Sequence, residues 1–317
     1  MPKKANIVAT SIQPSAFQFF ERFPDEKSAR EYLETARWPG GIRCIHCGHN
    51  SVYKVRDGLL YTCKNCRKQF TIRTGTVMEG SHIPIRKWLY AMYLMNVSRK
   101  GISSVQLAKE IGVTQKSAWF LLGRLREACR QEGQIGGVVE ADETYVGGKE
   151  KNKHAKKRLN AGRGTVGKSV VFGVRSRNGE FRAEVVSGTD RATIFQAISR
   201  RVSIGSKLYT DEHASYQGLV GYRHFSVNHG AKEYVAGDAH TNSVESAWAI
   251  LKRSYYGIFH NWSKKHESRY IDECAFRLNT KELPALNITE KSCGINAVRL
   301  LVAGMEDKRL TYKELTV

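Results

Sequence analysis

Four cysteines in one short stretch constrain this chain more than any other feature. Cys44-x2-Cys47 and Cys63-x2-Cys66 are separated by fifteen residues, a spacing that reads as a metal site. Each pair predicts a tight knuckle presenting two thiolates, and two knuckles complete a tetrahedral sulfur cage. Sulfur ligands select Zn²⁺ over hard cations. Four thiolates leave no open position, so the expected role is structural rather than catalytic. Gly48, directly after the first pair, suits the turn. No apolar run reaches the ~18 residues that span a bilayer, and Met1–Thr10 does not read as a secretory signal. The expectation is a cytoplasmic chain, with no membrane partner, whose thiols stay reduced. Cys129, Cys274 and Cys293 fall in helical contexts and read as core residues.

Around the cysteines lie Arg43, Lys54, Lys64, Arg67, Lys68 and Arg73. They belong to a wider surplus: 51 Lys and Arg stand against 30 Asp and Glu, a net charge of +21 over 317 residues. Such a surplus attracts a polyanion, usually nucleic acid. A membrane surface is the other candidate, but no lipidation signal or basic amphipathic anchor stands out. The length suits more than one domain.

Residues 1–41 read as a helical segment. Phe17, Phe20, Phe23, Ala29, Tyr32, Leu33 and Ala36 recur at helical spacing, Asp25 caps the second part, and Trp38-Pro39-Gly40-Gly41 ends it. Residues 42–80 form the zinc ribbon, with short strands near Ser51–Val55 and Leu59–Thr62. Residues 81–132 are helical. Within them, Val105, Leu107, Ala108 and Ile111 predict one apolar face, Gly112 a turn, and Thr114 the cap of a second helix. That is a helix-turn-helix pattern. It places Gln115, Lys116 and Ser117 where recognition helices meet base edges, with Arg124 and Arg126 further along. An ordinary helical hairpin has the same pattern.

After a linker at Gly133–Gly137 the period changes to that of strands. Strands are expected at 138–146, 169–176, 180–186, 207–210 and 222–227, with a hairpin turn at Asn178-Gly179. Helices are expected at 189–200, 241–256 and 263–280. Three acids fall where strands and helices change: Asp142 in the first strand, Asp211 after the fourth, and Glu245 in a helix beginning near Asn242. Two carboxylates on neighbouring strands and one on a packing helix suit two hard cations, Mg²⁺ or Mn²⁺, in phosphoryl transfer. Each acid also has a plain reading. Asp142 could be an exposed strand residue, with Glu140 on the same face; Asp211 a helix cap; Glu245 part of a capping box. Lys252 lies seven residues after Glu245, about 20° short of two full helical turns, so it shares that face and could reach a phosphate. Arg253 beside it reads as a DNA contact. Lys149–Lys168 carries eight Lys or Arg and one acid. It reads as a basic loop closing on a DNA backbone, through Lys149, Lys153, Lys156, Lys157 and Arg158.

Three segments, Glu140-Ala-Asp-Glu-Thr-Tyr-Val-Gly-Gly-Lys149, Tyr209-Thr-Asp-Glu-His-Ala-Ser-Tyr216 and His240-Thr-Asn-x-x-Glu-x-x-Trp-x-x-Leu-Lys-Arg253, resemble those of the DDE transposases of bacterial insertion sequences. The match is to the branch with an N-terminal zinc ribbon, called ISXO-like, and covers about residues 20 to 285. The resemblance implies a multidomain α+β chain whose residues 133–282 form an RNase H-like mixed α/β catalytic domain. The family's metal-binding acids map onto Asp142, Asp211 and Glu245, and its following basic residue onto Lys252. Some relatives carry Asn in place of the Glu; here Glu245 is present. The function implied is binding to the ends of an insertion sequence, with metal-dependent cleavage and strand transfer. The partners implied are double-stranded DNA and at least one further copy of the chain, in a bacterial cytoplasm on the nucleoid. A nuclease or resolvase on the same fold, and a DNA-binding regulator with a decayed site, are the other readings. Residues 283–317 read as a C-terminal tail without a usable match.

Overall fold

The computed structural model describes residues 14–148, 150–152, 154–159, 165–177, 179–226, 241–281, 283 and 296–316. The backbone divides into two units, residues 1–129 with 280–317, and residues 130–279.

In the first unit, α1 (Ala16–Arg22) and α2 (Glu26–Arg37) each begin with a capping box, which satisfies otherwise orphaned N–H groups. Ser15 and Asp25 are the caps; the Asp25 carboxylate accepts from Ser28 N–H at 2.7 Å. The ribbon follows as β1 (Val52–Val55), β2 (Leu60–Cys63) and β3 (Gln69–Phe70), paired antiparallel in that order. Trp38, Tyr61 and Phe70 form its apolar centre. The ribbon is tied to α2 by buried polar groups. The Tyr61 hydroxyl donates to Glu34, and Lys54 Nζ donates to the other Glu34 oxygen at 2.5 Å. Arg37 donates to the Ile72 and Thr74 carbonyls at 2.6 and 2.9 Å.

Helix α3 (Ile85–Val97) starts on Pro84, whose side chain cannot cap it. Glu26 of α2 takes that role, accepting from the N–H groups of Ile85 and Arg86 at 2.6 and 2.9 Å. α4 (Ser104–Ile111) ends at Gly112 with φ +60°, and α5 (Gln115–Ala128) begins on Thr114, whose hydroxyl accepts from Ser117 N–H. The left-handed turn needs glycine, since a Cβ there is disfavoured. Leu107, Ala108 and Ile111 are buried as expected, but Val105 is exposed.

In the second unit, β4 (Val138–Val146), β5 (Ser169–Ser176) and β6 (Phe181–Val186) form an antiparallel meander. Helix α6 (Arg191–Arg201) then carries the chain over one face to β7 (Lys207–Thr210), which lies parallel to β4; β8 (Arg223–Ser226) lies parallel to β7. A parallel pair needs such a crossover. The strand order is β6-β5-β4-β7-β8, a sheet of mixed parallel and antiparallel strands with β4 at its centre. α7 (Asn242–Ser254) and α8 (Glu267–Asn279) follow. The two-residue period splits the sheet cleanly. Val139, Ala141, Phe172 and Val174 pack with Ile194, Ala197 and Ile198 of α6. Val171, Phe181 and Ala183 pack with Val244, Trp248, Leu251 and Ile271 of α7 and α8. Asn178 of the expected hairpin turn lies outside the described residues.

The reading of residues 283–317 as a separate tail needs correction. Its described part belongs to the first unit, as α9 (Ala297–Ala303) and α10 (Tyr312–Thr316). α9 packs on α2, α3 and α5, and α10 on α5. Tyr32 of α2 donates to the buried Asn296 that caps α9, at 3.2 Å. At Gly304 a Cβ would stand 2.2 Å from the Ala128 carbonyl oxygen, so only glycine allows that approach. Helices of seven and five residues are too short for periodicity to reveal them. Cys129 and Cys274 are buried; Cys293 lies outside the described residues. Among the described residues, no helix is long and apolar enough to cross a membrane.

Candidate active site and sulfur cage

The sulfur cage is built from two matching knuckles. Gly48 N–H donates to Cys44 O at 2.8 Å, and Arg67 N–H to Cys63 O at 3.1 Å. Gly48 and Arg67 stand at the same place after each pair, and both are left-handed, with φ +71° and +60°. For arginine that conformation is uncommon. Cys44 Sγ lies 3.6 Å from Cys66 Sγ, and Cys47 Sγ lies 3.6 Å from Cys63 Sγ. All four sulfurs stand within 4.8 Å of one another. A tetrahedral ion with bonds of about 2.3 Å sets thiolates roughly 3.8 Å apart, so the donor set fits zinc. The backbone hydrogen bond from His49 pulls the Cys47 thiol down to about 6, with the Asn65 amide assisting. That favours the thiolate a metal requires.

The acids meet where two parallel strands part. β4 and β7 pair from Val138↔Lys207 to Glu140↔Tyr209. Beyond that point lie Asp142 and Glu143 on β4, and Asp211 directly after β7. The carboxyl ends of diverging parallel strands are where α/β sheets place ligands. Asp142 is half-buried, and its Oδ2 accepts from Trp248 Nε1–H at 2.9 Å. Burial, then the negative charges of Glu143 and Asp211, push its carboxyl up to about 7. Burial and Asp211 also raise Glu143, opposed by the Tyr216 hydroxyl that donates to it. Asp211 does not cap a regular helix; its Oδ1 accepts from His213 N–H at 3.0 Å, fixing a local turn. A cation would relieve this concentration of like charge, and carboxylate oxygens are the donors Mg²⁺ or Mn²⁺ takes.

Glu245 lies exposed in the first turn of α7, accepting from the Thr241 hydroxyl at 3.1 Å. The capping that a box would supply comes instead from the sheet. Glu140, 1 % exposed, accepts from the N–H groups of Ser243 and Val244 at 2.9 and 3.1 Å. Arg175 donates to Ser243 O and Ser246 Oγ at 2.7 and 2.8 Å. Among the described residues, the four thiols are the only group of three or more His, Cys, Asp or Glu whose ligand atoms lie within 4.8 Å of one another. Asp142 and Asp211 are close enough to repel. The three carboxylates of Asp142, Asp211 and Glu245 do not all lie within 4.8 Å of one another; Glu245 stands one turn before Trp248 on α7. Lys252 and Arg253 are exposed near the end of α7.

The expected DNA contacts divide. Lys156 and Arg158 are exposed. Lys149, Lys153 and residues 160–164 of the basic loop lie outside the described residues, as does the side chain of Lys157. Gln115 and Lys116 are exposed at the start of α5; Gln115 donates to Ser104 Oγ at 2.9 Å, and the Lys116 ammonium stands 4.8 Å over the Tyr312 ring. Ser117 shares a 2.9 Å hydroxyl contact with Thr114. Arg124 requires correction. It is 6 % exposed, lies 4.0 Å over the Phe120 ring one turn earlier, and donates to Leu310 O at 3.1 Å. Its charge is spent holding the C-terminal segment on α5, which the helical pattern could not reveal. Arg126 is buried as well.

Trp248 belongs to the core and also reaches Asp142; that link, and the parts of Glu143 and Tyr216, do not stand out in the sequence. One available signal was Gly173, a glycine in a strand interior, which marks a close approach.

Comparison with known proteins places the chain. Residues 134–279 match the ISXO2-like transposase domain, and residues 24–69 match the transposase zinc-ribbon domain. A protein of Halobacterium salinarum, described as an uncharacterized protein in transposable element ISH50, is 32% identical over 247 residues, covering 73% of this chain and 83% of the relative. An uncharacterized transposase-like protein of Haemophilus influenzae is 30% identical over 101 residues, 31% of this chain and 80% of the relative. The catalytic core domain of BIV integrase aligns at 13% identity over 53% of this chain and 95% of its own, with a TM-score of 0.29, too low to argue from. The zinc-ribbon and transposase-domain matches, with a relative this similar over most of its length, establish that the chain belongs to the ISXO2-like transposase family.

Proposed function

We propose that this protein binds the ends of its own insertion sequence, cleaves there and joins the ends to target DNA, as a DDE transposase. The observation that carries the reading is the meeting of Asp142 and Asp211 where β4 and β7 part, inside the matched transposase domain, under a helix that bears Glu245 and Lys252. Asp142, Asp211 and Glu245 are assigned as the ligands of Mg²⁺ or Mn²⁺. Two such ions stabilise the attacking and leaving oxygens of an in-line phosphoryl transfer. Lys252 and Arg253 are assigned to phosphates near the cut, and Lys149, Lys153, Lys156, Lys157 and Arg158 to the DNA backbone. The sulfur cage holds structural Zn²⁺. α4 and α5 act as a helix-turn-helix, with Gln115, Lys116 and Ser117 towards base edges. Two ends handled alike call for a homodimer or larger assembly.

One observation favours a binding protein without chemistry: the three carboxylates do not all lie within 4.8 Å of one another. The test separates the readings. A plasmid carrying the gene with its native flanks is incubated with purified protein and Mg²⁺ or Mn²⁺, and every new end and junction is sequenced. Breaks and joins at the flanks, absent with Asp142→Asn, are the expected result. Breaks without joins would indicate a nuclease or resolvase. Binding to the flanks with no metal-dependent product would overturn the enzyme reading.

A further inference from the structure

Trp248 does something that core packing alone does not require. Its ring packs edge-on against Phe181, centroids 5.4 Å apart, a role another large apolar side chain could fill. Its single polar atom ends 2.9 Å from Asp142 Oδ2. The sheet is shaped to allow this. Gly173 of β5 stands directly opposite Asp142 in the β4–β5 register. A Cβ at Gly173 would lie 2.4 Å from Trp248 Cη2 and 2.6 Å from Cζ2. Glycine weakens a strand interior, and here the indole's approach is what requires it. The helix that carries the indole is itself set on the sheet by Glu140 and Arg175.

We propose that Trp248, seated in the groove left by Gly173, is a positioning residue for the divalent-cation site: its N–H ties one oxygen of Asp142 and leaves the other to the ion, while its seat on β5 fixes Glu245 one helical turn away. This rests on the reading of Asp142, Asp211 and Glu245 as cation ligands. A carboxylate turns easily about its last torsion, and a fixed donor on one oxygen selects one orientation. Loss of such an outer partner typically lowers metal affinity by about 10–100-fold.

The test uses full-length, zinc-loaded protein and Mn²⁺ alone, with free Mn²⁺ read by electron paramagnetic resonance and folding by thermal melting. Asp142→Asn should abolish the site. Trp248→Phe keeps an aromatic ring in the groove but removes the N–H, and should weaken Mn²⁺ binding by about 10–100-fold with the catalytic unit still folded. Gly173→Ala displaces the indole and should weaken binding in the same direction. In combination with Trp248→Phe it should add little, because the hydrogen bond is already gone. Mn²⁺ affinity within about twofold of the parent in Trp248→Phe, or fully additive losses, would overturn the positioning role. Should Trp248→Phe fail to fold, Gly173→Ala alone decides: parental affinity overturns the proposal, weakened affinity supports it. Equal Mn²⁺ binding by the parent and Asp142→Asn would overturn the cation-site reading itself, a distinct failure that takes this proposal with it.

Discussion

The four thiols and the three acids are both candidate metal sites, and their construction differs at every level. Each cysteine pair sits on its own knuckle, fixed by a hydrogen bond to a residue four positions away, and the two knuckles are joined by a three-stranded ribbon. The acids come from β4, from the chain after β7, and from α7; Trp248, which touches Asp142, lies 106 residues along from it. The sulfurs already stand within 4.8 Å of one another, whereas the three carboxylates do not. Charge accounts for much of this. Against the backbone hydrogen bond from Lys68, burial and the neighbouring cysteines push the Cys66 thiol up to about 11, so it stays neutral and can crowd against Cys44 before an ion arrives. Carboxylates brought together in a half-buried cleft lose solvation and repel, and the carboxyls of Asp142 and Glu143 are raised first by burial and then by their acidic neighbours. A site that only holds structure can be assembled in advance. On the proposed reading, a site that must admit ions and DNA can leave Glu245, exposed on α7, at the surface.

The largest expected effect tests the local half of that contrast. Structural zinc in small cysteine sites contributes about 10–16 kcal/mol. Stripping the ion with a strong chelator, or replacing Cys63 by Ser, should therefore unfold the ribbon. Limited proteolysis should cut within residues 42–70 while residues 134–279 stay resistant. Simultaneous loss of both regions would show that the two sites are not independently built.

Asp142→Asn should behave in the opposite way. Strand transfer should fall on the order of a thousand-fold or more, about 4 kcal/mol of barrier, while the fold persists and flank binding continues. A melting temperature lowered as severely as by Cys63→Ser would mean that Asp142 serves the fold instead.

Much of this contrast was legible in the chain itself. Short apolar stretches bounded by turn residues marked β4 and β5, and the cysteine spacing marked the knuckles, because both signals are local. Asp142, Asp211 and Glu245 stood out at changes of period. What escaped was long-range. Nothing near Trp248 in sequence says that its ring will rest on Gly173, since that depends on strand register and helix docking together. Arg124 on a helix of a basic protein looks the same whether it faces DNA or Leu310. Glu140 showed only that it shares a face with Asp142, not that it would cap α7.

pH offers a finer test of the carboxylate half. Asp142 has its carboxyl raised to about 7 by burial and by Glu143, above the usual value near 3.9 of an unfolded aspartate. Between those values the folded state binds the extra proton, so this group makes stability fall as pH rises from about 4 to 7, by at most about 1.4 kcal/mol per pH unit. Above 7 its contribution is constant. Without divalent ions, Asp142→Asn should therefore gain on the parent protein in melting temperature across that window, and hold the gain above it. Mg²⁺ or Mn²⁺ should close the gap at pH 8, where the carboxylate is charged and an ion can offset it. A difference that does not vary with pH would remove like-charge crowding as the reason the acids stand apart.

The smallest effect concerns Glu140, which links the buried sheet to the turn of α7 that bears Glu245. Its Oε2 accepts from two N–H groups at the start of α7, and Arg177 Nε lies 3.6 Å from Oε1. Glu140→Ala would leave two buried donors unmet at about 1–3 kcal/mol. Glu140→Gln keeps an acceptor oxygen and loses only the charge, worth about 0.3–1 kcal/mol at a helix N-terminus and up to about 2 where partly buried. Urea unfolding of the two variants should rank them in that order. The informative quantity is strand transfer at a temperature where both are folded. Glu140→Ala frees the turn that holds Glu245 and should lose rate beyond its loss of stability, whereas Glu140→Gln should keep the turn in place and the rate near that of the parent. Equal rates in both would mean that Glu245 finds its place once ions and DNA are bound, whatever the sheet does, and the carboxylate site would then be assembled by its ligands alone.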